Sequence, residues 1–135
     1  MSTRRIAREW AVQILFQQDM NEGKIEAVLD FFWKDKEHDP EAQKFTEKLV
    51  LGALENLVNI DETIKKHAKH WDISRMGVLD RNVIRMGVYE LLYDDEIPAA
   101  VSINEAVDIA KYFSNDESGR FVNGVLDHIS KEVAL

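Results

Sequence analysis

The spacing of the apolar residues is the feature that most limits what this chain can fold into. Apolar residues recur at intervals of three and four positions rather than alternating with polar ones, which is the period of an α-helix with one buried face. Only two prolines and six glycines are available to interrupt this pattern. The spacing therefore predicts an all-α fold.

The boundaries of the first helices follow from capping residues and prolines. Ser2 or Thr3 can cap a first helix, because a hydroxyl accepts a hydrogen bond from an unpaired amide of the first turn. A second helix is predicted to stop at Asp39-Pro40, since the residue before a proline is driven into an extended conformation. Pro40 can then open a long third helix. We expect that helix to bend near residues 59–61.

In the second half of the chain, a buried helix is predicted from Leu79 to Leu92, ending before the Ile97-Pro98 break. Ser102 and Glu105 then form an S-x-x-E sequence. In this motif the hydroxyl accepts from the third amide of a helix and the carboxylate reaches back to the cap amide. The motif predicts that a helix begins at Ser102.

About seven helices result, joined by short loops, and they favour two small antiparallel bundles. We expect one bundle over approximately residues 1–73 and the other over 74–135. No linker rich in proline, glycine or serine separates them, so a single domain spanning residues 1–135 is predicted.

The composition excludes several classes of function. The 135 residues include no cysteine, which removes disulfides, thiolate zinc sites and thiol nucleophiles and fits a reducing cytoplasm. The pattern of apolar residues predicts neither a membrane span nor a secretory signal. We find no phosphate-binding loop, nucleophile elbow or other catalytic frame, so an enzyme is not expected and no cofactor is predicted.

The charge is unevenly distributed along the chain. The net charge is −8 but the first sixteen residues carry a side-chain balance of +2, so the remainder sums to −10. Arg4, Arg5 and Arg8 lie within one and a quarter helical turns and are predicted to face solvent together. Guanidinium groups suit RNA because they pair with phosphate and stack on bases, although a solvated helix face is the alternative. The acidic remainder either maintains solubility or docks a basic partner.

A second basic cluster follows in the middle of the chain and either extends a phosphate-binding track or forms an ordinary solvated helix face. His67 and His70 stand three residues apart but lack the other ligands of a zinc site, so no metal is predicted. Residues 94–96 form an acidic stretch that is typical of a solvated loop. The basic residues of the cluster are Lys65, Lys66, His67, Lys69 and His70.

Four separated motifs resemble the NusB family in order and spacing. They are Arg4-Arg5-Ile6-Ala7-Arg8-Glu9, the run from Leu79-Asp80-Arg81 to Tyr89-Glu90-Leu91, Ile97-Pro98 followed by Ser102-Ile103-Asn104-Glu105-Ala106, and Phe121-Val122-Asn123-Gly124-Val125-Leu126. The resemblance implies an all-helical fold of two small bundles. It also implies a protein that binds the boxA element of nascent RNA, pairs with the ribosomal protein NusE and joins a transcription elongation complex.

The resemblance also implies which residues contact RNA. The arginine-rich N-terminus of the family corresponds to Arg4, Arg5 and Arg8, and the basic face near the end of the first bundle to Lys66 and His67. The start of the last helix corresponds to Glu117, Arg120 and Phe121, where Phe121 either stacks on a base or fills the core.

The partner surface follows less directly from the resemblance. We expect NusE to contact the second bundle around Asp80, Tyr89 and Leu92, where acidic residues can meet a basic protein. The domain also resembles the N-terminal part of a ribosomal RNA cytosine methyltransferase family, but methyl transfer would need a cofactor domain beyond these residues. A helical adaptor that binds only proteins is the main alternative, and self-association into a homodimer stays open.

Overall fold

The computed structural model describes residues 2–68 and 72–133, and over these ranges the regular structure is helical. No described helix combines the length and the apolar character that crossing a membrane requires. A 3-10 helix at Ile73–Arg75 precedes the second half of the chain. The α-helices are α1 (Thr3–Asn21), α2 (Ile25–Trp33), α3 (Pro40–Glu55), α4 (Leu57–His67), α5 (Val78–Tyr93), α6 (Ala99–Phe113) and α7 (Asp116–Val133).

The first helix starts as the sequence predicts. The Ser2 side chain accepts a hydrogen bond from the backbone amide of Arg5 at 3.0 Å. Asp39 caps α3 in the same way through the amide of Glu41, with Pro40 in the first turn. These caps satisfy amides that would otherwise lack an intrahelical partner.

The predicted bend near residues 59–61 lies slightly too late in the chain. The helix is interrupted at Asn56, which separates α3 from α4. The Asn56 side-chain amide donates to the carbonyl of Gly52 at 2.8 Å, a local bond that competes with the helical pattern. The interruption lets α4 leave the axis of α3 and pack against α5 and α7.

The helix start predicted at Ser102 is wrong. Helix α6 begins at Ala99, one residue after Pro98, so Ser102 lies inside the first turn and is 2% exposed. Its hydroxyl donates to the carboxylate of Glu90 at 3.0 Å instead of capping an amide. Glu105 likewise faces another helix, where its carboxylate accepts hydrogen bonds from Arg5 and Arg8 of α1. The S-x-x-E sequence therefore serves a tertiary network that a local motif cannot reveal.

Helix α5 lies at the centre of the molecule. It packs against α1, α3 and α4 from the first half of the chain and against α6 and α7 from the second half. Its Val83, Ile84 and Met86 are fully buried in one hydrophobic cluster that draws residues from both halves of the chain. The division into two sub-bundles near residue 73 stays a prediction, and the core is continuous across it.

Candidate nucleic-acid interface

The arginines at the start of α1 differ in their surroundings, contrary to the prediction that all three face solvent. The Arg8 side chain is buried and forms a bidentate ion pair with Glu90 of α5. Arg8 Nη2 lies 2.7 Å from Glu90 Oε1, and Arg8 Nε lies 2.9 Å from Glu90 Oε2. The prediction was wrong for Arg8 because α5 and α6 pack over the side of α1 that carries this residue. A buried carboxylate needs a cation and hydrogen bonds, which Arg8 and Ser102 provide.

Arg5 lies at the edge of the same network and is one quarter exposed. Its guanidinium donates to two carboxylates of α6, Glu105 and Asp108, the latter at 3.0 Å. Glu105 also accepts from Arg8 at 3.3 Å and so bridges the two arginines. The hydrogen bond from Arg5 holds the pKa of Glu105 below its ordinary value, against the opposing effect of burial. The hydrogen bond to Glu105 raises the pKa of Arg5.

Arg4 is exposed, as predicted. Its guanidinium carbon lies 4.9 Å from the centroid of the Phe45 ring, a cation–π contact with α3. The three residues Arg4, Arg5 and Arg8, which we call the arginine cluster, thus range from exposed through partly exposed to buried. Phe45 was missed by sequence reasoning, since nothing local to α3 indicates that a ring lies beside arginines of α1.

A second surface lies where the 3-10 helix and α5 meet the start of α7. A cleft of about 910 Å³ opens there, lined by residues that include Asp80, Glu117 and Phe121. Phe121 is half-buried at the wall of the cleft, and Lys65 and Arg75 bring positive charge to it. The structure therefore brings two predicted RNA-binding residues and one predicted partner-binding residue into one cleft.

Three further predicted RNA-binding residues are sequence neighbours of residues that line this cleft. Arg120 is exposed on the first turns of α7, and Lys66 is exposed on the last turn of α4. His67 is half-buried, with its ring centroid 6.1 Å from that of His128 on α7. Lys69 and His70, which the sequence adds to this basic cluster, lie outside the described residues. Among the residues described, no cluster of three or more metal-ligating side chains is found.

The predicted partner residues are only partly accessible. Tyr89 is 8% exposed and stacks on Tyr93 with ring centroids 5.6 Å apart. Its ring lies so close to Gly52 that a Cβ atom at that position would overlap it. Because α3 covers this side of α5, little of the Tyr89 side chain reaches solvent, and its contact with a partner stays a prediction. Leu92 is half-buried against the core.

Sequence reasoning missed an apolar groove next to Asp80. The groove has a volume of about 370 Å³ and is lined mainly by Val12 and Phe16 of α1, Leu79 of α5 and Phe113 of α6. Phe16 is 37% exposed. Val12 and Phe16 stand four residues apart on one face of α1, and that spacing was the signal available in the sequence.

The fold and these surfaces define a small all-α protein with a basic helix end and a cleft that combines charged and aromatic side chains. The chain belongs to the NusB family, whose model matches residues 5–131. It is 42% identical to the transcription antitermination protein NusB of Myxococcus xanthus over 134 residues, covering 96% of each chain. It is 43% identical to the protein of the same name from Nitratiruptor sp., covering 98% of this chain and 95% of that one.

Solved structures agree with this family and confirm the predicted all-α fold. NusB of T. maritima is 38% identical and superimposes with a TM-score of 0.87, covering 98% of this chain and 92% of that one. A chain in the crystal structure of antitermination factors NusB and NusE in complex with double-stranded RNA is 30% identical, with a TM-score of 0.89 and 98% of both chains covered.

Proposed function

We propose that this chain is a transcription antitermination adaptor that binds boxA-type single-stranded RNA together with the ribosomal protein NusE and joins the transcription elongation complex. Its relatives are named transcription antitermination protein NusB. A structural neighbour comes from a crystal structure of NusB and NusE in complex with RNA. The observation that carries the RNA-binding part is the arginine cluster, whose outer members reach solvent on an otherwise acidic chain. The protein acts by binding rather than catalysis and works in the cytoplasm.

Within the arginine cluster, the proposed contacts to RNA phosphates are made by Arg4 and Arg5. Arg8 is assigned a different role, since its guanidinium is already engaged by Glu90 in the interior. It fixes the start of α1 against α5 and thereby positions the two outer arginines. The proposal therefore keeps the basic helix end but reduces its phosphate contacts from three to two.

The rest of the proposed RNA path runs towards the start of α7. Helix α6 contacts both α1, which carries the arginine cluster, and α7, whose first residues line the cleft. There Phe121 offers a ring on which a base can stack, Arg120 and Lys66 offer charge, and Glu117 and His67 offer hydrogen-bonding groups. Stacking on aromatic rings suits unpaired bases, which is why single-stranded RNA is the proposed ligand.

The proposed NusE surface lies beside this path. Asp80 lines the charged cleft, and its neighbour in the sequence, Leu79, lines the apolar groove. An acidic side chain next to exposed apolar surface can bind a basic protein through both charge and burial. The proposed NusE surface includes the half-buried side chain of Leu92. It does not include Tyr89.

The test is fluorescence anisotropy of a boxA-type RNA titrated with this protein, with and without purified NusE. We expect weak binding by the protein alone, because its net charge is −8, and tighter binding with NusE present. A variant with Arg4→Ala and Arg5→Ala should bind several-fold more weakly. Lys24→Ala is the matched control, since Lys24 lies beyond the other end of α1, about 28 Å away along the helix.

The alternative is an adaptor that binds only proteins. It predicts that NusE binds while RNA stays unbound at every salt concentration. In that case the outer arginines are ordinary surface residues, and the proposed RNA path is wrong.

A further inference from the structure

Two carboxylates occupy the side of Arg5 where an RNA phosphate would bind. Glu105 and Asp108 stand three residues apart on α6, so they present their side chains on the same face of that helix. Both accept hydrogen bonds from the Arg5 guanidinium, Glu105 from Nε and Nη2 and Asp108 from Nη2. In this structure the carboxylates take the position that phosphate oxygens would take on an arginine fork.

The two carboxylates differ in how easily they can be displaced. The Glu105 side chain is 19% exposed and also accepts from buried Arg8, so it is fixed from two sides. The Asp108 side chain is 53% exposed, and Arg5 is its partner in this ion pair. Exposed ion pairs of this kind contribute little to folding stability, so stability does not account for the placement of Asp108.

We propose that Asp108 is an affinity-determining residue of the RNA site, which competes with RNA phosphate for Arg5. This role rests on the proposed RNA-binding function. In the free protein Asp108 partly neutralises Arg5 and repels an approaching phosphate. An RNA that offers only its backbone is therefore bound weakly, and further contacts from bases or from NusE are needed to displace the carboxylate.

The competition makes a quantitative prediction for Asp108→Asn, which keeps the shape of the side chain and removes its charge. Removing one like charge near a surface phosphate should tighten binding of the boxA-type RNA roughly three- to tenfold at low salt. The salt dependence should also steepen, because Arg5 then neutralises its phosphate fully. The magnitude of the slope of log affinity against log salt concentration should rise by up to about 0.7. Both quantities are measured by anisotropy titration at several salt concentrations with NusE present.

The matched control is Asp127→Asn. Asp127 is 50% exposed and pairs with Lys131 at 3.0 Å, so this variant makes the same charge change at a similar surface ion pair away from Arg5. A double-mutant cycle with Arg5→Ala tests whether the effect passes through Arg5. In the Arg5→Ala background, most of the gain from Asp108→Asn should disappear.

The outcomes separate this role from the proposed function. If the wild type binds RNA and Asp108→Asn binds no more tightly than Asp127→Asn, the competition is wrong while RNA binding stands. An equal gain with and without Arg5 would also overturn it. If wild type and Asp108→Asn both fail to bind any RNA with NusE present, the RNA-binding function and this role fail together.

Discussion

The two ends of helix α1 are both tied to the rest of the molecule by arginine–carboxylate networks, but the networks are built in opposite directions. At the N-terminal end α1 supplies the arginines, and α5 and α6 supply the carboxylates. At the other end α1 supplies Asp19, which accepts from Arg81, Asn82 and Arg85 of α5. Arg85 also binds Asp61 of α4 through both oxygens at 2.9 Å.

The difference between the two ends lies in their access to solvent. At the Asp19 end, the side chains of Arg81 and Arg85 are only 15% and 12% exposed, so both cations are committed to internal partners. At the other end exposure rises from buried Arg8 to partly exposed Arg5 and exposed Arg4. Arginine–carboxylate pairs therefore stabilise the fold at both ends of α1. At the N-terminal end they also leave cations accessible to a ligand.

The largest effect is expected from breaking the buried pair. Arg8→Ala leaves the Glu90 carboxylate buried without its cation, so we expect the free energy of unfolding to fall by about 3–5 kcal/mol. Urea denaturation followed by circular dichroism measures this change. A double variant, Arg8→Met with Glu90→Met, should recover much of the loss, since no buried charge remains. A loss below about 1 kcal/mol in Arg8→Ala would show that the pair is not buried as described.

A smaller effect is expected at the opposite end of the helix. Asp19→Ala removes the acceptor shared by three side chains of α5, and hydrogen bonds to a charged group of this kind give an expected loss of about 2 kcal/mol. RNA affinity should not change, which distinguishes this network from the arginine cluster. A decrease in RNA affinity without a change in stability would contradict the division between the two ends.

The acid sensitivity of the fold should reflect both networks. Hydrogen bonds from Arg5 lower the pKa of Glu105 from 4.5. For Asp19, burial alone would raise the pKa, but hydrogen bonds from Asn82 and Arg81 and the charges of Arg85 and Arg81 together lower it from 3.8. A carboxyl group whose pKa is lower in the folded state stabilises the fold above its ordinary pKa, and this contribution is lost as the pH falls through the folded value.

The free energy of unfolding should therefore fall as the pH drops below about 4.5, because Glu105 takes up a proton in the unfolded chain at a higher pH than it does in the folded protein. Urea titrations at successive pH values measure it. Glu105→Gln should flatten part of this decline, because glutamine does not titrate. An unchanged pH dependence in that variant would show that Glu105 does not contribute.

The smallest effect is expected at an ordinary surface pair. Lys131 and Asp127 stand one turn apart on α7, and their side chains are 76% and 50% exposed. Lys131→Ala should change the free energy of unfolding by no more than about 0.5 kcal/mol. This value sets the baseline for the other variants. A loss of about 2 kcal/mol here would mean that the contribution of an ion pair to stability does not decrease with its exposure.

The fold was predictable from the sequence where local rules decide it. Helical periodicity, the cap at Ser2 and the proline at the start of α3 depend on residues close together in the chain, and the structure confirms them. The S-x-x-E sequence misled because Ser102 and Glu105 have partners on other helices, including Glu90, twelve residues before Ser102, and Arg5, a hundred residues before Glu105.

The sequence named the residues of the candidate site but not the surroundings in which the fold places them. A helical wheel shows which residues of α1 share a side, but not that α5 and α6 cover the side carrying Arg8. For the same reason, the sequence did not indicate that Tyr89 lies beneath α3. The apolar groove has walls from three helices, so only the row of Val12 and Phe16 could have indicated it.

The most direct test of the account is the salt dependence of RNA binding by wild type and by Arg4→Ala, with NusE present and with unfolding of both proteins measured in parallel. The account predicts that Arg4→Ala weakens binding several-fold, lowers the magnitude of the log–log salt slope by about 0.7 and leaves the free energy of unfolding almost unchanged. An unchanged affinity and slope in Arg4→Ala would contradict the claim that the exposed end of the arginine cluster binds RNA.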